Sequence, residues 1–268
     1  MCVVSEFGDQ TRYIRISVKD GEAWLTIERP ETDNALNGEV LQELITVFDL
    51  IEQEPSIRVV VLEGGGNHAF SSGLDLTEVS GMMRHEAEST ARRIADLQQA
   101  IATLDRPVIA AIRGTCVGAG LELASFCDFR IAREDARLGL CTISIGLVPG
   151  GASLAKLTAL VGEGNARALT LTGGVVSAER AFVMGMVTSV VEEDLYESSV
   201  DQLARHLAKL PPETVAETLR LHGAVWTNTM DETSRAGEES MGRLIEHEET
   251  ASRLRALVGC PEPTATVH

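Results

Sequence analysis

Positive charge is scarce in this 268-residue chain: 23 Lys and Arg stand against 40 Asp and Glu, a formal net charge of −17. Such a surface repels nucleic acid and anionic membrane, so neither is expected as a partner. Lysine occurs only at positions 19, 156 and 209, which leaves arginine, the better forked phosphate ligand, to hold any anionic small molecule. Cys2, Cys116, Cys127, Cys141 and Cys260 are odd in number and contain no Cys-x-x-Cys pair. That spacing argues against a disulfide framework or a zinc site and favours a reducing cytosol. His206, His222 and His247 have no neighbour at ligand spacing, so no metal is expected. No apolar run is long enough for a membrane span, and the opening Met-Cys-Val-Val-Ser-Glu-Phe-Gly-Asp lacks the basic and apolar regions of a signal peptide. A cytoplasmic protein is the expectation. Missing as well is a Gly-x-Gly-x-x-Gly after the first strand, which sets a dinucleotide-binding fold aside.

What is present is the composition of an ordinary globular protein, 44% hydrophobic and 24% charged, in a chain long enough to bury a large core. Asp20-Gly21 between Tyr13–Lys19 and Ala23–Ile27 reads as a hairpin turn. Asn37 is placed to cap a helix whose apolar face is Val40, Leu41, Leu44, Ile45, Phe48 and Ile51. A buried strand at Val59–Leu62 leads into a glycine run and a loop-like stretch from Asn67 to Gly81, with a helical turn opening near Leu74-Asp75-Leu76. Glu86–Leu104 reads as a helix, Val108–Ile112, Phe129–Ala132, Arg137–Leu140 and Val187–Val191 as strands, and Ser153–Val161 and Ser177–Met184 as helices. From Leu195 the strand signals stop. Leu195–Leu210, Glu213–Val225 and Glu232–Leu257 read as three helices, with a loose tail from Pro261 to His268. The expected division is therefore a core of repeated strand-turn-helix units over 1–194 and a helical region over 195–268.

The chemistry concentrates where the strand Val108–Ile112 runs through a glycine-broken turn into a helix bearing Ala119 and Glu122. The first amides of a helix lack intrahelical acceptors and sit at the positive end of its dipole, so they suit a developing anion. Gly118 and Gly120 permit close approach of a ligand to the backbone. Glu122 stands among Leu121, Leu123 and Ala124, where an ionised carboxylate is costly unless paired or used. Spaced i and i+3, the Ala119 amide and the Glu122 carboxylate share a helix face, one as oxyanion donor, the other as acid or base.

Four blocks resemble the crotonase superfamily, the enoyl-CoA hydratases and isomerases. They are Arg29-Pro with Asn34-Ala-Leu-Asn37; Val59–Gly66 with Ala69-Phe-Ser-Ser-Gly-Leu-Asp-Leu76; Arg106–Asp128; and Gly146-Leu-Val-Pro-Gly-Gly151. The resemblance spans roughly residues 12–258 and implies an α/β fold, a spiral of ββα units with a C-terminal helical region that packs subunits into trimers or hexamers. It implies an acyl-CoA substrate, no separate cofactor, and a thioester oxygen held by the amides of Leu74, just after Gly73, and Ala119. Arg29, Asn34, Ala35, Leu36, Gly73, Asp75 and Gly118 match positions around the CoA, and Arg253 and Arg255 are the candidates for its phosphates. Asp75 and Asp128, read from their own neighbourhoods, suit turn capping and a strand connection.

The resemblance also implies two glutamates flanking the substrate. Glu122 matches the first; Thr142 holds the place of the second. A threonine hydroxyl can hold a water or a substrate oxygen but does not exchange a proton near neutral pH. The expected reaction is hydration of a 2-enoyl-CoA, or the reverse dehydration of a 3-hydroxyacyl-CoA, through an oxyanion-stabilised enolate. Because of Thr142, isomerase, decarboxylase or thioester hydrolase chemistry, or acyl-CoA binding without turnover, stays open beside it.

Overall fold

Asp20 and Gly21, with φ of 53° and 83°, turn β1 (Ile14–Lys19) back along β2 (Glu22–Ile27). This is the hairpin expected from Asp-Gly, since paired positive φ values match the strand twist. The structure, a computed structural model, describes residues 11–258; the expected tail Pro261–His268, and Cys2 and Cys260, lie outside the described residues.

After the hairpin the chain repeats one turn of a spiral. A strand enters a large sheet, a short strand enters a small one, and helical segments return the chain to the start of the next turn. The large sheet runs in the order β1-β2-β3-β5-β7-β10, where β3 is Val59–Gly64, β5 Val108–Ile112, β7 Phe129–Arg133 and β10 Ser189–Val191. All its pairings except the hairpin are parallel. Every residue of β5 is buried, as a central parallel strand covered on both faces requires. The small sheet runs β4-β6-β8-β9, from Ala69–Ser71, Thr115–Val117, Arg137–Gly139 and Val175–Ser177, and only β9 is antiparallel to its neighbour.

Helix α1 (Gly38–Glu52) starts where Asn37 accepts a hydrogen bond from the Val40 amide at 2.9 Å, and it buries Val40, Leu41, Leu44, Val47, Phe48 and Ile51. The short α2 (Leu76–Val79) is capped by Asp75. Helix α3 (Arg84–Thr103) packs on α1, and α4 (Ala119–Phe126) follows β6 directly. Helices α5 (Gly151–Val161), α6 (Glu163–Thr172) and α7 (Ala178–Val183) complete the last turn. The second of these occupies a stretch to which the sequence patterns assigned no element.

Helix α8 (Glu193–Ala208) packs on the large sheet and buries Tyr196, Val200, Ala204 and Leu207. The compact unit built on the sheets therefore runs to Ala208, one helix past the boundary expected at 194/195. The second unit begins at Lys209 and holds α9 (Pro212–Ala224), α10 (Met230–Glu246) and α11 (Glu248–Val258). The single helix expected over Glu232–Leu257 is in fact two, because His247 leaves the helical region at ψ 131°. Within this unit Glu217 of α9 accepts hydrogen bonds from Arg220 and from Ser240 and Arg243 of α10.

Candidate active site

The register of the small sheet builds the centre of the site. β4 and β6 pair in parallel with Ser71 opposite Cys116, and just past the ends of these strands Gly73 comes against Gly118, with Leu74 and Ala119 the residues that follow. The closeness is steric as well as topological. A Cβ added to Gly73 would lie 3.2 Å from the Ala119 nitrogen and 2.9 Å from the Val117 carbonyl oxygen. Gly73 (φ 93°) and Gly118 (φ 53°) both hold backbone conformations that side-chain-bearing residues avoid. Among the described residues, no hydrogen bond joins the Leu74 or the Ala119 N–H to a protein acceptor. Buried amides are nearly always paired, so two such donors side by side, one opening a helix, form a binding place for a single oxygen carrying negative charge.

This segment is held from behind by the loop 33–37. The Leu36 amide donates to the Gly73 carbonyl at 2.7 Å, and the Asp75 amide donates to the Leu36 carbonyl at 3.0 Å. Asn34, at φ 55°, accepts from the Arg29 amide and donates through Nδ2 to the carbonyls of Gly65 (2.9 Å) and Ala69 (2.7 Å). Arg29 donates to the Ala35 carbonyl and to Asp75 in an ion pair of 2.9 Å, with both side chains largely buried. Burial alone would raise the Asp75 carboxyl, but the Arg29 hydrogen bond and the Glu78 amide outweigh it and hold the group below the usual carboxylate range. Arg29, Asn34 and Asp75, expected around the CoA, bond to one another and to the chain behind the Gly73-Leu74 segment. Apart from Arg29 Nε, which is buried without a partner, the side-chain nitrogens of Arg29 and Asn34 serve protein partners, and the Asn34-Ala35-Leu36 strip fixes the Gly73-Leu74 main chain. Asp128 is structural, as expected: its Oδ2 accepts from the Val108 amide at 2.8 Å.

Glu122 is only 5% exposed. Its Oε2 accepts from the Gly150 amide at 2.9 Å and from the Ser153 hydroxyl at 2.5 Å. Oε1 takes no hydrogen bond from the protein and is not among the sealed-off polar atoms, so it is the oxygen left for a reactant. Thr142 lies in the short 3-10 helix Cys141–Ile145 that follows β8, and its Cγ2 would be 3.7 Å from a Cβ on Gly118. The Thr142 hydroxyl is buried without a hydrogen-bond partner, an arrangement that costs free energy unless a ligand or water meets it.

The structure thus brings together Gly73, Leu74, Gly118, Ala119, Glu122 and Thr142. Arg253 and Arg255 lie on α11 of the second unit, paired with Glu249 and Glu248 respectively. Two contributors escaped the sequence reading. Ser153 was read only as a helix start, and Gln98, which donates to the Ser153 hydroxyl at 2.9 Å, lay inside a long helix. A signal for Gln98 existed: it is a polar residue on the stripe of Ile94, Leu97 and Ile101. No group of three or more His, Cys, Asp or Glu side chains able to hold a metal occurs among the described residues.

The sequence pattern of one family, enoyl-CoA hydratase/isomerase, matches residues 18–255. This chain belongs to that family. A probable enoyl-CoA hydratase of Bacillus subtilis is 32% identical over 253 residues, covering 93% of this chain and 97% of the relative. The short-chain-enoyl-CoA hydratase of Clostridium acetobutylicum is 33% identical across 74% of this chain and 76% of its own length. Among solved structures, the Bacillus anthracis enoyl-CoA hydratase superposes with a TM-score of 0.89 at 29% identity, over 94% of this chain and 98% of that one. Members of the enoyl-CoA hydratase/isomerase family are enzymes, and the ββα spiral described above is the crotonase fold that the sequence implied.

Proposed function

We propose that this enzyme adds water across the double bond of a 2-enoyl-CoA, and removes it in reverse, with Glu122 as its one general acid and base. The observation that carries the reading is the pair of unpartnered amides, Leu74 and Ala119, beside a carboxylate whose free oxygen is Oε1. The thioester oxygen accepts both N–H groups. Glu122 Oε1 takes a proton from water as its oxygen bonds to Cβ, and the electron pair of the double bond moves to form the enolate, its charge resting on the thioester oxygen. The same carboxyl then returns its proton to Cα, and the thioester re-forms. Each oxyanion donor supplies about 3 kcal/mol of barrier lowering, and the acid-base group about 10²- to 10⁴-fold in rate.

Thr142 favours a second reading, in which the same cradle serves another reaction of the family or binds acyl-CoA without turnover, because its buried hydroxyl awaits a partner. Crotonyl-CoA hydration by wild type, Glu122→Gln, Thr142→Glu and the double variant separates the two. The hydratase reading expects weak turnover that Glu122→Gln abolishes and Thr142→Glu raises only while Glu122 is present. Binding without turnover in all four overturns it.

A trimer or hexamer assembled through the residues after Leu195 accompanies this proposal, as does a cytoplasmic setting, which the free thiols of the buried Cys116 and Cys127 suit. No helix among the described residues is long and apolar enough to cross a membrane.

A further inference from the structure

The Glu122 carboxylate is served asymmetrically, and both of its donors come from the start of one helix. Gly150 is the N-cap of α5 and Ser153 lies in its first turn, so Oε2 occupies the positive end of that helix dipole. Ser153 is 1% exposed and its hydroxyl has one proton. Because an ionised carboxylate only accepts, that proton points to Glu122. The remaining side of Oγ is filled by Gln98 Nε2, itself on a buried residue of α3. Three elements, α3, α4 and α5, are thereby tied in one chain of bonds: Gln98 to Ser153 to Glu122.

We infer that Ser153, oriented by Gln98, is a positioning residue that keeps Oε2 an acceptor and restricts proton exchange to Oε1. A proton on Oε2 would face two donors already aimed at it, so that form is disfavoured. The consequence is a base with one working oxygen at a fixed angle to the Leu74 and Ala119 amides. In a site where Thr142 leaves a single carboxylate to both take and return the proton, loss of that angle is costly at each step. The inference rests on the hydratase reading for its kinetic arm only.

The test measures crotonyl-CoA hydration and, separately, the infrared stretching bands of the Glu122 carboxylate at fixed pH, assigned by subtracting Glu122→Gln. Expected for Ser153→Ala is a kcat lowered on the order of ten- to a hundredfold, the scale of a lost charge-assisted hydrogen bond, with KM nearly unchanged. In the same variant the splitting between the antisymmetric and symmetric carboxylate bands departs from its wild-type value. Gln98→Leu moves both readouts in the same direction by less, and adding it to Ser153→Ala changes nothing further, since Gln98 acts through Ser153. Wild-type kcat and an unmoved band in folded Ser153→Ala overturn the inference, as do additive effects in the double variant. If wild type shows no hydration, the proposed function fails, while the infrared carboxylate bands and their double-variant cycle still decide the role of Ser153.

Discussion

Replacing Ala119 by proline removes one oxyanion donor with little else. Ala119 is the first residue of α4, where proline is tolerated because its ring fixes a helical φ and the missing N–H has no intrahelical acceptor. Here the lost N–H has no protein acceptor among the described residues. Proline also forbids helical geometry to the residue before it, and Gly118, at φ 53° and ψ −129°, already lies outside that region. The fold should therefore lose no more than about 1 kcal/mol, a fall of about 2–4 °C in Tm for a domain of this size. The chemistry should lose far more. The ring carbon attached to nitrogen replaces the donated proton, so the thioester oxygen loses one of two bonds and meets an apolar group instead. Loss of one such donor costs about 10²- to 10³-fold in kcat. The assay pairs thermal unfolding with crotonyl-CoA hydration and with titration of acetoacetyl-CoA, whose enolate uses the same donors. A folded Ala119→Pro protein with wild-type turnover and affinity would refute the assignment of Ala119 as an oxyanion donor.

The second unit should loosen in acid through Glu217, whose carboxyl the hydrogen bonds of Arg220, then Ser240, hold down to about 2, against 4.5 for an ordinary Glu. A lowered carboxyl contributes stability above its unfolded value and loses it as pH falls through the folded one. Hydrogen-exchange protection in α9 and α10 is expected to weaken from about pH 4.5 downward, and Glu217→Gln should give the low-pH pattern already at neutrality; protection independent of both would refute the link. Light scattering at micromolar concentration should report a trimer or hexamer, and a monomer would count against the proposed assembly.

Much of the spiral was legible because its rules are local. Asp20-Gly21 encodes a turn, Asn37 a cap, and Val108–Ile112 a strand buried on both faces. Of the small sheet only β8 was legible, and β4, β6 and β9, three residues each, are too short for a period of two to show. The break at His247 was hidden because the charged and apolar alternation of α10 continues into α11 with no glycine or proline at the join. At the site, Gly73, Gly118 and Glu122 could be read directly, and Thr142 could be read as a departure. The Gln98–Ser153 contact joins residues 55 apart on two helices, and only the packing of α3 against the start of α5 creates it. For Arg29 and Asn34 the adjacency to the Gly73-Leu74 segment is visible in sequence, but the partners their side chains take in the packed chain are not.

The pairing of Ser71 with Cys116 has a consequence for how such a protein changes over time. The anion cradle is main chain, positioned by the spacing between two rungs of a sheet, and it persists through almost any exchange of side chains that leaves Gly73 and Gly118 in place. Proton traffic, by contrast, depends on individual side chains projecting from the adjoining helices. An exchange at position 142 can therefore change the proton chemistry while leaving the pair of amides where it is. One half of the site thus comes with the fold, and the other is chosen residue by residue.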